Sequence, residues 1–508
     1  MDSDIATAKD LENPADRRLF RFLEILPGFT SWLTLGLVVF LSWFQPLLVA
    51  CFIISFDLYW FFRSVYFAFH LRSSSKRLEQ AKNTDWLGKT KQILGWDEIY
   101  HVCFFSLCNE SHEVVRDSFL ALSNIDYPKD KIIVVLSAEQ RYRQKTEDTV
   151  AKINGEFASR FFKFLTTWHP DNLPGEIPGK GSNDHWAGLA VKNEVIDVLK
   201  IPYEKLIATF LDVDTCVLPK YFSCLTYSYL TCQDPTRTSF QPAPLFINNI
   251  WQAPMFSRNF SMSNSFWHVI NQERPERLIT FSSHSMSFKA LVDVGFKQAN
   301  VVSDDSRIFW QCFLNYDGNY WVQPLFYPVG MDATAAQGFW QTMVNVYKQQ
   351  RRWAYGACEI PYVFFNFLKN KKISLKKKIN QGLFLFESHW SWATNAILIL
   401  VAGWLPVSFG RSRFPESLIL HNLPQLTSRI LTLAMIGLFV SIYVTFVFLP
   451  PRPKTKGKFS YLFFVLEWLA APSIMIVFGA LPALDAQTRL MFGKYMGFWV
   501  TEKVRKIQ

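Results

Sequence analysis

The sequence predicts an α/β domain built on a Rossmann-related parallel sheet and inserted between N-terminal and C-terminal transmembrane helices. Three observations carry that expectation. Apolar runs free of Asp, Glu, Lys and Arg extend from Ile25 to Phe56, Ser388 to Gly410, Ile430 to Pro451 and Trp468 to Leu484. The last three are near the roughly 20 residues that a helix needs to cross a hydrocarbon core about 30 Å thick, and the first is too long for one crossing. Between them, Tyr100 to Leu107, His112 to Leu122 and Lys131 to Ser137 read as strand, helix, strand, a right-handed parallel unit by rule. The apolar run Leu206 to Leu211 then ends in Asp212-Val213-Asp214, at the kind of strand end where open parallel sheets bind ligands.

At 508 residues the chain exceeds one ordinary domain. Its net charge of +11 reflects cations clustered beside the apolar runs, at Arg17 to Arg21, Arg72 to Arg77, Lys369 to Lys378, Arg452 to Lys458 and Lys503 to Lys506. That is the positive-inside pattern with added attraction to anionic lipid, not a nucleic-acid surface. The expectation is a multi-pass protein of the cell membrane with its large domain in the cytosol. The eight cysteines are scattered without a Cys-X-X-Cys pair, so free thiols are expected rather than a zinc or redox site. No removable signal peptide is expected, because Asp2, Asp4 and Asp10 precede the first cation cluster and no cleavage pattern is present.

Taken in order, residues 1–24 read as a cytosolic tail and 25–70 as two transmembrane helices turning at Gln45-Pro46. Basic residues at both ends require that even number. Asp57 falls inside the second span, either as a functional carboxylate or as an ion-pair partner of Arg63 or another helix. The α/β domain occupies 87–353. Lys131 to Ser137 is apolar enough for a strand buried on both faces, and Asn109-Glu110, Ser137 to Gln140 and Asp212 to Asp214 fall at strand ends. Gly179-Lys180-Gly181 lacks P-loop spacing. It is either a flexible surface loop or a place where N-H groups and an ammonium meet a phosphate. Ile279 to Phe296 reads as a strand edge leading into a helix, and Ser303-Asp304-Asp305 as a second acid pair or an ordinary helix cap. Gln349 to Trp353 closes the domain, its basic residues being otherwise a solvated helix face. Residues 357–380 combine apolar Ile360 to Leu368 with five lysines from Lys371 to Lys378, which suggests a helix at the membrane interface. Residues 383–484 hold two or three further transmembrane helices, with Glu467 and Pro472 inside the last, and 485–508 form an amphipathic basic tail.

The chemistry begins with Asp212 and Asp214. Continued as a strand, the chain would turn both carboxylates to one side, two rises of about 3.3 Å apart. Such a pair is stabilised by a proton or a cation, and a hard divalent ion carrying a diphosphate supplies the charge. A solvated Asp pair is the simpler alternative.

Taken together, Asp212-Val213-Asp214, Ser303-Asp304-Asp305 and Gln349-Gln350-Arg351-Arg352-Trp353 have the order and separation of Asp-X-Asp, Thr-Glu-Asp and Gln-X-X-Arg-Trp. From Tyr100 to Trp353 the chain resembles the membrane-embedded family 2 glycosyltransferases, which include the cellulose, hyaluronan and mannan synthases. The resemblance implies a GT-A-like catalytic domain and a metal-dependent, inverting transfer of sugar from a UDP- or GDP-sugar, with Mg2+ or Mn2+ as cofactor. Asp212 and Asp214 are the expected diphosphate and metal residues. Asp305 is the expected general base beside Asp304, Lys180 and Arg352 contact the donor, and Trp353 with Gln349 holds the acceptor. The family's Asp-Asp pair for the base and ribose is replaced by Ser137-Ala138-Glu139-Gln140, which leaves Glu139 as the donor-binding candidate. No cyclic-dinucleotide motif follows Trp353. The expected partners are a nucleotide sugar, a glycan or lipid acceptor and the bilayer, with no nucleic acid. Besides a growing glycan made processively, single-sugar transfer to a lipid carrier and an inactive scaffold or transporter stand as alternatives.

Overall fold

The computed structural model describes residues 4–410, 417–457 and 459–501. Its centre is a mixed sheet. β1 (Tyr100–Leu107), β2 (Ile132–Glu139), β3 (Lys163–His169) and β4 (Leu206–Asp212) run parallel. β5 (Cys216–Val217), β6 (Thr238–Leu245), β7 (Ser285–Ser287) and β8 (Trp321–Gly330) extend it to eight strands in the order β3-β2-β1-β4-β7-β6-β8-β5. β7 is antiparallel to both β4 and β6, while β8 is parallel to β6. Of this second half the chain announces only the strand edge that leads into a helix near Ser285. β7 has only three residues, and Pro242, Pro244, Pro324 and Pro328 interrupt β6 and β8 where prolines read as strand breakers. The ladder accommodates them with a register shift between Gln241 and Ala243.

Alternation divides the parallel half between two cores. Cys103 and Phe105 face a cluster with Val115, Phe119 and Tyr221, whereas Val102 and Phe104 face one with Phe210, Trp310 and Ile360. Phe104 stacks on Phe210 at 4.7 Å. With both faces covered, β4 has no room for a charge until it leaves the core, and its burial ends at Asp212.

Among the described residues, four helices are long and apolar enough to cross a membrane: Pro14–Phe44, Pro46–Asn83, Leu418–Phe448 and Ser460–Met491. The first two are separated by Gln45 alone, and Pro46 opens the second at a position where its missing N-H costs nothing. Leu375–Leu400 and Ala402–Gly410 together make a fifth candidate bent by 46°. Within these helices Arg63 pairs with Glu387, not with Asp57, which is buried. Glu467 pairs with Arg258 from the helix Met255–Gln272. The eight cysteines are unpaired.

Two expectations meet a different arrangement. In the helix Glu359–Lys369, read as lying on the membrane surface, Ile360, Tyr362, Val363 and Phe365 are at most 2% exposed. Protein covers the apolar face that suggested lipid, because the helices Asp304–Asn315 and Pro14–Phe44 lie against it. The tail read from 485 begins as the end of the helix Ser460–Met491 and continues without regular structure to Thr501. Lys503 to Lys506 lie outside the described residues.

Candidate functional site

Asp212, the last residue of β4, stands where the strand leaves the core, with 27% of its side chain exposed. A turn follows at once, closed by the Thr215 N-H donating to the Asp212 carbonyl at 2.8 Å. Asp214 therefore does not continue the strand's alternation. It folds inward to 1% exposure, and its Oδ2 accepts the Asp332 N-H at 3.0 Å. Asp212 faces the opening: Oδ1 accepts from the Lys180 ammonium at 2.6 Å and Oδ2 from the Ser282 hydroxyl at 2.8 Å.

Lys180 begins the helix Lys180–Val191. Packing explains the glycines on either side of it. A Cβ at Gly179 would meet the Phe498 ring at 2.5 Å, and one at Gly181 would meet the Asp304 Cβ at 2.8 Å. The loop is pressed between two other segments and is not a free surface loop.

Asp304 and Asp305 open the helix Asp304–Asn315, whose N-terminal end favours carboxylates. Lys180 Nζ lies 3.1 Å from each carboxylate oxygen of Asp305. Lys297 Nζ lies 3.0 Å from Asp305 Oδ1, 2.9 Å from Asp304 Oδ2 and 2.9 Å from Asp184 Oδ2. His284 Nδ1 donates its N-H to the Phe281 carbonyl at 2.8 Å and lies 3.7 Å from Asp305 Oδ1. These contacts divide the acid pair. Burial raises the pKa of both, but at Asp305 the ammonium groups of Lys180 and Lys297 outweigh it and hold the carboxyl well below the usual range. At Asp304 burial and the adjacent Asp305 prevail over Lys297 and raise it to about 6. Burial also depresses both lysines, yet the carboxylates around them more than reverse this and keep them charged. Burial, with Lys297, lowers His284 to about 3 and leaves it neutral.

The helix Phe339–Ala354 brings the third motif. Burial lowers the Arg352 guanidinium, while Asp212, Asp304 and Asp305 pull it the other way. Its outer contact is the Phe498 ring at 4.6 Å. Trp353 lies 5.8 Å from Phe246, and with Gln349 these rings line a cavity also bounded by Ser261, Asp332 and Thr334. Gln349 Oε1 accepts from the Thr334 hydroxyl at 2.7 Å. Arg351 points away, to Asp485 at 2.9 Å.

Lys180 thus bridges Asp212 and Asp305, and Asp304 and Arg352 border them. Gln349 and Trp353 form a separate wall that reaches Asp214 through Asp332. Glu139 stands apart at the end of β2, 3% exposed and ion-paired with Arg141. Its Oε2 is held by the Arg141 guanidinium.

Four residues were missing from the sequence reading. Asp184 had a signal, since it lies four residues beyond Lys180 on one helix and so on the same face. His284 sits in the Phe281 to Ser285 stretch read only as a strand edge. Lys297 follows Phe296, whose φ of 70° turns the chain back toward the acids. Phe498 belongs to the segment read as a tail, and neither it nor Lys297 has a local pattern to betray it.

The donor set suits a metal that arrives with its substrate. Among the described residues no three His, Cys, Asp or Glu side chains form a cage. Mg2+ and its relatives are commonly held by one or two carboxylates plus substrate phosphates, and Asp212 already faces a cation, the ammonium of Lys180.

No family model matches the chain, and no curated protein sequence matches it. Among solved structures, it is similar to the mannosyltransferase PcManGT from Pyrobaculum calidifontis, in complex with GDP-Man and Mn2+, at 12% identity and TM-score 0.38 over 75% of this chain and 99% of that one. It is likewise similar to S. aureus TarS in complex with UDP-GlcNAc, at 10% identity and TM-score 0.37 over 67% of this chain and 90% of that one.

Proposed function

We propose that the chain is an inverting, metal-dependent membrane glycosyltransferase of family 2 that adds sugar from a nucleotide-sugar donor to a growing glycan at the cytosolic face. The observation that carries this reading is the meeting of Asp212, Lys180 and Asp305 beyond the end of β4, with the Arg352 guanidinium beside them. A diphosphate needs cations and a sugar hydroxyl needs a base; this cluster supplies both within a few ångströms.

Lys180 and Arg352 bind and orient the donor diphosphate, whose charge grows as the sugar departs. Asp305, kept ionised, takes the proton from the acceptor hydroxyl while that oxygen attacks the anomeric carbon. The new glycosidic bond forms on one face as the bond to the diphosphate breaks on the other, so the configuration inverts. Proton removal of this kind contributes roughly 10² to 10⁴ in rate. Mg2+ or Mn2+ arriving with the donor would be held by Asp212, the carboxylate that faces the opening, with Asp214 turned inward behind it, and would supply Lewis-acid stabilisation of the leaving diphosphate. Trp353 presents an aromatic face to the acceptor sugar, and Glu139 with Arg141 meets the nucleoside.

The test is nucleoside diphosphate release by detergent-purified protein across UDP- and GDP-sugars with Mg2+, Mn2+ or EDTA, beside Asp305→Asn. Metal-dependent release from one donor, reduced at least about 10²-fold in the variant while nucleotide still binds, is expected. Silence across the panel without nucleotide binding overturns the reading in favour of a scaffold.

A further inference from the structure

Lys297 is the most enclosed cation of the site. It is 1% exposed, it sits over the Phe210 ring at 4.3 Å, and its ammonium touches Asp184, Asp304 and Asp305 at 2.9, 2.9 and 3.0 Å. An ammonium has three N-H donors, and here each has one carboxylate. None remains for a phosphate or a sugar hydroxyl, so any effect of Lys297 on turnover passes through the acids. Its direction of approach matters as well. Asp305 has 22% of its side chain exposed, so Lys297 holds it from the buried side, on Oδ1, while Oδ2 receives only Lys180 among these contacts. Lys180 also bonds Asp212 on the donor side; Lys297 has no donor-side contact among them.

We propose that Lys297 is a positioning residue that fixes the rotamer of Asp305 by clamping Oδ1 to Asp304 and Asp184, so that Oδ2 is the oxygen presented to the acceptor hydroxyl. This rests on the glycosyltransferase reading above. Asp184 completes the clamp: its other oxygen accepts from the Ser106 hydroxyl near the end of β1, which ties Lys297 to the sheet.

The test compares full-length wild type, Lys297→Arg and the charge-balanced double variant Lys297→Met with Asp184→Asn, using the donor that the wild type accepts. Tm, donor KM and kcat are measured for each. A residue that merely neutralises a buried cluster is replaced by the double variant without loss of turnover. A positioning residue is not: the double variant is expected to keep its Tm within a few degrees and its donor KM within about threefold, while kcat falls about 10²-fold, the low end of what general-base catalysis supplies. Lys297→Arg keeps the charge but moves the donors, and a smaller fall in kcat at unchanged KM is expected. Wild-type kcat in the double variant overturns the proposal, as does a KM rise that accounts for the whole loss. Failure of both variants to fold assigns Lys297 to stability alone and also overturns it. Wild-type protein that releases nucleoside diphosphate from no donor overturns the parent reading instead, and this one with it.

Discussion

At Asp304 and Asp305 adjacent carboxylates in one helical turn are pushed in opposite directions, which gives a pH signature with a definite sign. Asp304 binds its proton more tightly in the folded protein, at about 6 against 3.8. Its ionisation therefore costs stability above that window, and the cost disappears as the pH falls from about 6 toward 3.8. Asp305 is shifted down, so its contribution is present above the ordinary carboxylate value and is lost only as the pH falls below it. In thermal unfolding of detergent-purified protein, the stability of Asp304→Asn relative to wild type is expected to decrease steadily between pH 7 and pH 4. A difference independent of pH would show that Asp304 is not the group that titrates there.

The elements that carry the acids are held from behind. Arg307, fully buried one turn beyond Asp304, donates to Glu359 at 2.6 Å, to Gln298 Oε1 at 2.8 Å and to the Ile5 carbonyl at 3.1 Å. Ser303 bonds the other oxygen of Glu359. Glu359→Ala leaves a buried guanidinium without its counter-charge and is expected to cost about 3 to 5 kcal/mol, whereas Glu359→Ala with Arg307→Met regains most of it. Denaturation midpoints of the two variants decide the matter. The glycine beside Lys180 is equally specific. Gly181→Ala drives a methyl to 2.8 Å from the Asp304 side chain, so turnover is expected to fall at least about tenfold for even a small displacement of the acids. Gly155→Ala, where a Cβ meets nothing within 4 Å, is the control and is expected to leave turnover unchanged.

For the whole molecule, the α/β domain and the apolar helices share cores. Phe266 stacks on Trp468 at 5.7 Å and Phe256 on Phe478 at 5.3 Å, while Arg258 and Arg351 find their acids, Glu467 and Asp485, in the last apolar helix. Residues 87–353 expressed alone would expose these rings and leave both guanidinium groups unpaired. Aggregation of that fragment is expected, against a soluble and monodisperse full chain in detergent, by size-exclusion chromatography. A monodisperse fragment would show that the shared cores are dispensable.

Local pattern carried much of this protein. Apolar run length, alternation and the Asp212, Asp305 and Arg352 motifs are properties of short windows, because helix and strand periods and strand-end chemistry are set within a few residues. β1, β2, β4 and the motif residues that meet beyond β4 were legible for that reason, whereas β3, only partly buried along most of its length, was not. Most of the mixed half of the sheet was not, since β7 is so short that it read only as a strand edge and prolines mask β6 and β8. The inward turn of Asp214, the covering of Ile360 to Phe365 by protein and the arrival of Lys297 and Phe498 at the acids were decided by tertiary structure alone. Each depends on which distant segment fills a given space, and close packing, unlike periodicity, leaves no trace in the neighbouring sequence.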